Sequence, residues 1–414
     1  MYDNEQKPQR ALLISVDYGA FDAESSMDEL IALSESAGAE VVGTMIQKLE
    51  KPLSATYVGT GRLEELAEIC KNQEVDLIIA DDELSPIQIK NIEDSTNVRV
   101  IDRTMLILDI FALRANSKEG KLQVETAQLR YMLPRLTGKG VEMSRQGGGI
   151  GTRGPGESKL ETDRRHIRRK LDSLEEKLDE IEKHRELLRQ KRKKDGVITA
   201  AIVGYTNAGK STLMNYLTNA GVLEKDQLFA TLDPTSRALK LPGGVTVMLI
   251  DTVGFVRRLP HHLVKAFRST LEEAASADII INVCDVSSEE ALLHLEVTKN
   301  LLTELGCSDT PIITVFNKSD LVDLDIVPNI SNGVRISAKT GAGVDSLLIA
   351  IEDNLPVRMT RVKLLVPFDK AGLIAEIRKN GNLISEEYTA DGIVAEGLCD
   401  SALYAKVKEF QLWT

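Results

Sequence analysis

Four short apolar runs punctuate the first hundred residues: ALLISV (11–16), EVVGTMI (40–46), VDLIIA (75–80) and VRVID (98–102). Each is of strand length and apolar on both faces, and helical patterns fill the intervals, so this region predicts a parallel sheet with crossover helices. Ser85-Pro86 before IQIKNIE marks a helix start, with proline at the first helical position. The pattern leaves the strand order open.

Near residue 118 the period changes. KEGKLQVETAQLRYMLPRL places Leu122, Leu129, Leu133 and Leu136 on one helical face. From Glu157 to about Lys194, Ile167, Leu171, Leu174, Leu178 and Ile181 alternate spacings of four and three, with Leu188 one heptad on, which is a coiled-coil seam. Two such helices joined by one loop predict an antiparallel hairpin, whose second helix would be about 57 Å long. A third strand–helix alternation begins at VITAAIVG (197–204) and runs to about Asn354. After LPVRM come the apolar runs VKLLVPF, GNLISEEY and GIVAEGL and two helical patterns, 370–379 and 401–409. The predicted fold class is multidomain α/β. It comprises an N-terminal parallel α/β domain (1–117), a helical hairpin (118–195) with a glycine-rich tip (138–156), a domain with a mixed, mostly parallel sheet and helices on both faces (196–356), and a small C-terminal α/β module (357–414).

Composition narrows the class. With 414 residues the chain is too long for one ordinary core, and a hydrophobic share of 43% is enough to bury several. The N-terminus MYDNEQKPQR has no signal-peptide apolar region and no run approaches membrane-spanning length, so the expectation is a soluble cytoplasmic protein, with peripheral membrane attachment left open; a monomer is expected separately. Cys70, Cys284, Cys307 and Cys399 are scattered, without metal-ligand spacing, and read as buried free thiols. The net charge of -12 conceals a local reversal: Lys139 to Lys194 holds 17 Lys and Arg against 11 Asp and Glu, which is +6 and leaves -18 for the remainder. A basic arm on an acidic body predicts one anionic partner, met at one place.

Two glycine clusters compete as nucleotide loops. RQGGGIGTRGPGESK (145–159) contains Gly149-x-Gly151-x-x-Gly154, but no buried strand precedes it and a long helix follows, so the context of a dinucleotide loop is missing. Gly204-Tyr205-Thr206-Asn207-Ala208-Gly209-Lys210-Ser211 matches GxxxxGK[ST] in full, between an apolar strand and a helix that continues with Thr212. Backbone N–H groups there can cradle phosphates, with Lys210 reaching the β- and γ-phosphates and the Ser211 hydroxyl on Mg²⁺. Asp251-Thr-Val-Gly254 follows the apolar strand VTVMLI; the acid suits a second hold on Mg²⁺ and the Gly254 amide can sense a γ-phosphate. Asn317-Lys318-Ser319-Asp320 follows IITVF, and Ser337-Ala338-Lys339 comes 20 residues after Asn317. The Asp320 carboxylate can accept hydrogen bonds from N1 and N2 of guanine, which adenine cannot supply together, so the expected ligands are GTP and GDP. Phe255 directly follows Gly254 and cannot orient a nucleophilic water, so slow intrinsic hydrolysis is expected, with acceleration left to a partner or an ion.

This combination resembles the guanine-nucleotide domain of P-loop GTPases. By that resemblance Ala338 presents its N–H to the guanine O6. QLFATLDPTSR (227–237) is similar to the first switch of the Obg and HflX group, which makes Thr231 a Mg²⁺ ligand and catalytic group, with Thr235 as the alternative; Lys210, Gly254 and Asn207 complete the expected catalytic set. Asn207 matches the asparagine with which some such GTPases hold K⁺; a turn asparagine is the competing reading. YVGTGRLEEL (57–66), VIDR (100–103) with ILDIF (107–111), ETAQLR (125–130) and GGGIGTRGPGESKLETDR (147–164) narrow the resemblance to the HflX GTPases, over nearly the whole chain.

That family implies a factor that binds the large ribosomal subunit, its RNA and proteins, and uses GTP to separate the subunits of stalled or idle ribosomes. Its glycine-rich tip enters the peptidyl transferase region, and the ribosome stimulates its GTPase. The contacts implied here are Arg145, Gly147, Gly148, Gly149, Gly151, Arg153, Gly154 and Gly156. No Phe, Tyr or Trp occurs between Val141 and Val197, so contact would run through backbone and arginine against phosphate rather than base stacking. Two other classes stay open: a signalling or assembly GTPase acting on proteins, and an ATP-using RNA remodeller. Gly59-Thr-Gly61 opens a helix and some members of the family are credited with N-terminal ATP binding. The plainer reading is a tight turn beside a solvated acidic loop, Asp81-Asp82-Glu83, since no Lys-Ser or Lys-Thr follows the glycines.

Overall fold

The computed structural model describes residues 7–136, 155–218, 229, 235–258, 273–322, 333–356, 360–399 and 401–412. The chain divides into two compact units, one built mainly on residues before Arg185 and the other mainly on those after it.

The first unit begins with β1 (Arg10–Asp17), α1 (Ala23–Ser36), β2 (Glu40–Lys48), α2 (Thr60–Asn72), β3 (Leu77–Ala80), α3 (Pro86–Thr96), β4 (Arg99–Asp102) and α4 (Arg103–Arg114). The strands form one parallel sheet in the order β2-β1-β3-β4. β3 is buried at every position, which is why it reads as an unbroken apolar run. Ser85 caps α3 through a capping box with Gln88, with Pro86 at the first turn.

Helix α5 (Lys118–Arg135) buries Val124, Ala127 and Tyr131, while the predicted leucine face is only half-buried at Leu122, Leu129, Leu133 and Leu136. On the buried face the Tyr131 hydroxyl donates to Asp102, the carboxylate that also caps α4. Helix α6 spans Pro155–Lys194, 40 residues, starting two residues before the predicted boundary. Of its heptad positions Leu171 and Leu174 are buried and Leu188 is exposed, so the seam is dry only midway. Ion pairs Lys170–Glu125 and Arg130–Glu175 link α6 to α5.

The second unit carries a six-stranded sheet in the order β10-β9-β8-β5-β7-β6. Its elements are β5 (Ile198–Gly204), α7 (Lys210–Thr218), β6 (Ser236–Lys240), β7 (Thr246–Asp251), β8 (Ile279–Asp285), α8 (Ala291–Glu304), β9 (Ile312–Asn317), β10 (Gly333–Arg335) and α9 (Val344–Asp353). All pairings are parallel except β6 with β7. β11 (Thr360–Val366), α10 (Gly372–Asn380), β12 (Asn382–Thr389), β13 (Gly392–Cys399) and α11 (Ser401–Val407) follow, the strands antiparallel in the order β11-β13-β12. Leu398 of β13 packs into the core of the larger sheet with Leu239 and Leu241, an attachment the sequence pattern does not reveal. The four cysteines are free and buried. Among the described residues no helix is long and apolar enough to cross a membrane.

Candidate active site

β5 is buried throughout and brings Gly204 to the carboxyl edge of the sheet. Gly204 has φ +147, and a Cβ there would lie 2.1 Å from the Val283 carbonyl oxygen, so the chain can leave the strand here only as glycine. Asn207 adopts the left-handed conformation at φ 61, which asparagine tolerates better than most residues. Gly209, φ +89, would set a Cβ 2.2 Å from Asn317 Nδ2. Lys210 then opens α7.

The Lys210 ammonium is enclosed and donates to the carbonyls of Gly204 (3.1 Å) and Tyr205 (2.7 Å). Burial pushes its pKa down to about 8, against the pull of the Asp251 carboxylate in the other direction. The Ser211 hydroxyl donates to Asp251 Oδ2 at 3.3 Å. A hydroxyl and a buried carboxylate side by side form a hard-oxygen donor pair suited to Mg²⁺, which takes few protein ligands and completes its shell with phosphate and water. Gly254 lies directly against the loop: a Cβ there would stand 2.7 Å from Thr206 Cγ2 and 3.0 Å from Lys210 Nζ. Phe255 is 1% exposed, its ring in the interior.

Asn317 joins the two halves of the site. Its Nδ2 donates to the Ala208 carbonyl (2.8 Å) and its Oδ1 accepts the Ala338 N–H (2.9 Å), so one side chain spaces the phosphate loop from the Ser337-Ala338-Lys339 turn. Lys318, in the left-handed region at φ 62, pairs with Asp285 at 2.6 Å. Exposed Asp320 is held below the usual carboxylate range, first by a hydrogen bond from Ser337 and further by Lys339 and Lys318. Ser337 and Ala338 are buried, while Lys339 is exposed.

The residues at 204–212, 251, 254, 317–320 and 337–339 thus meet along one edge of one sheet. Thr231 and the predicted tip residues Arg145 to Gly154 lie outside the described residues; Gly156 falls in the first turn of α6. Two features escaped the sequence reading. Asp285 ends the apolar strand IIINVCD, a signal of the same kind as Asp251. The stacking of Tyr205 on His294 had no signal, because 89 residues separate the pair. At the N-terminal turn the Gly59 amide donates to Gln47 Oε1 at 2.8 Å. The acidic loop beside it is solvated at Glu83 but not, as expected, throughout: Asp81 is fully buried against Arg103 (2.8 Å) and Asp82 accepts from the Tyr57 hydroxyl (2.7 Å), which fixes the carboxyl ends of β1 and β3.

A glycine loop of phosphate-binding pattern between a buried parallel strand and a helix, an acid-ended strand beside it and a turn braced to the loop by asparagine define the class: a P-loop GTPase. Families described as "GTP-binding GTPase N-terminal", "GTP-binding GTPase Middle Region" and "50S ribosome-binding GTPase" match residues 24–112, 114–192 and 199–318. The chain is 50% identical to the GTPase HflX of Caldanaerobacter subterraneus subsp. tengcongensis, over 97% of this chain and 94% of that one. It is 39% identical to the GTPase HflX of Escherichia coli, over 95% and 94%. The chain belongs to the HflX GTPase family and is a GTP-hydrolysing enzyme. A solved structure of a GTP-binding protein from Sulfolobus solfataricus in complex with GDP is similar at 27% identity, covering 84% of this chain and 98% of that one, with a TM-score of 0.45.

Proposed function

We propose that the protein binds the large ribosomal subunit and uses GTP to separate stalled or idle ribosomes into subunits, working in the cytoplasm as a monomer. The domain boundaries drawn from the sequence, at about 117, 195 and 356, describe its working parts. In this reading the amides of 204–212 and the Lys210 ammonium hold the phosphates, Ser211 and Asp251 hold Mg²⁺ together with Thr231, and Asn317, Lys318, Asp320, Ser337, Ala338 and Lys339 hold guanine. Mg²⁺ would screen the phosphate charge during transfer. The observation that carries the nucleotide reading is the Asn317 bridge, which fixes base turn and phosphate loop in one frame.

Ribosome binding is supported by the match of residues 199–318 to the 50S ribosome-binding GTPase family and by the local +6 of residues 139–194 on an otherwise acidic chain. Buried Phe255 leaves no side-chain group at that position to orient water, which favours an enzyme switched on by its partner. Glycines among arginines at the tip offer a backbone able to enter a narrow RNA-walled space. The test is sedimentation of ribosomes with the protein and GTP, a nonhydrolysable analogue or ATP. Subunits should separate with GTP or the analogue, and a variant lacking residues 147–156 should bind nucleotide but not split. Equal splitting without nucleotide, or by the deletion variant, would refute the proposal.

A further inference from the structure

We propose that Tyr205 is a positioning residue for GTP hydrolysis, its side chain fastening the segment Gly254 to Arg257 onto the phosphate loop so that the Gly254 amide is in place for a γ-phosphate. The inference rests on the reading that this loop holds GTP. Three hydrogen bonds join the two segments. Phe255 N–H donates to the Gly204 carbonyl (3.1 Å) and Thr206 N–H donates to the Phe255 carbonyl (2.7 Å), a parallel bridge of backbone to backbone. The third is made by a side chain: the Arg257 N–H donates to the Tyr205 phenol oxygen at 2.7 Å. Together they bracket Gly254, where a Cβ would run into Thr206 and Lys210.

The phenol is itself held in place. Its ring stacks on His294 of α8, centroids 3.8 Å apart and planes 14° from parallel, and it is 6% exposed. Glu290, the residue just before α8, pairs with the Arg257 guanidinium and lies 3.8 Å from His294 Nε2. The Tyr205 carbonyl meanwhile accepts from Lys210. One residue therefore touches the phosphate-binding lysine through its backbone and the γ-phosphate-sensing segment through its side chain. GDP has no γ-phosphate for that segment to meet, whereas GTP does, so the phenol oxygen serves discrimination between the two.

Tyr205→Phe removes that oxygen and keeps the ring and the loop backbone. Affinity for a nonhydrolysable GTP analogue with Mg²⁺ should fall about five- to tenfold, the range of one hydrogen bond, while affinity for GDP changes less than about twofold. Single-turnover GTP hydrolysis should slow in parallel. Tyr205→Leu, which also loses the stack, should show a selective loss at least as large. Equal loss for GDP and the analogue, or loss for neither, overturns the proposal. Lys210→Ala separates the two levels: if it binds both nucleotides like the wild type, the loop is not the site and the underlying reading fails instead.

Discussion

Lys210 is buried, with two carbonyl oxygens as acceptors for its amine and a pKa lowered from 10.5 to about 8. Phosphate oxygens arriving at the same amine favour the charged form and raise that pKa, so above pH 8 binding must take up a proton. The sign follows directly: below about 8 the free protein already carries the charge and affinity is flat, while above 8 the free amine is neutral. GDP affinity should then fall by up to about tenfold per pH unit. Calorimetry at pH 8.5 in two buffers of different ionisation enthalpy should register the proton; identical heats would contradict the assignment. Lys210 itself is legible in sequence, because GxxxxGK[ST] ties it to its neighbours. Its lowered pKa is not, since burial is set by strands and loops distant along the chain.

At the scale of elements, three arginines near the C-terminal end of α6 converge on one carboxylate. Arg185, Arg189 and Arg192, on one helical face, approach Glu273 at 3.6, 3.3 and 3.4 Å, and the Glu273 side chain is 7% exposed. Removing one partner from such a cluster costs several kcal/mol when fully buried; the arginines here are partly solvated, so Glu273→Ala should lower stability by about 2 kcal/mol, read as a lower urea midpoint. An unchanged midpoint would show the cluster to be inert. Heptad spacing in sequence predicted α6 as a helix, and its leucines predicted one continuous seam. What the spacing could not show is that the arginines at 185, 189 and 192 replace leucines as the contact residues near the end, because their acceptor lies more than eighty residues away. The parallel strands were readable for the opposite reason: burial on both faces leaves a local apolar signature, as in β3 and β5, although their order depends on pairings that carry no local mark.

For the molecule as a whole, the proposed reading gives base choice to Asp320 and loop geometry to a different residue, Asn317. Asp320→Asn should shift preference from guanine to xanthine nucleotides, because the amide donates where the carboxylate accepted, and competition between GTP and XTP for hydrolysis measures it. A variant that still prefers GTP would move base recognition elsewhere. The four short sequences at 204, 251, 317 and 337 were legible together because each follows a strand, whereas Leu398 joining the core of the larger sheet was not, since nothing in β13 distinguishes it from any alternating strand. The Asn317 bridge has a practical consequence. A side chain that holds two loops at once leaves no room for recoding, while exposed Asp320 can be rewritten without disturbing the frame. The enzyme can therefore be given a private fuel: supplied with XTP in an extract full of GTPases, an Asp320→Asn copy would be the one turned on at a chosen moment.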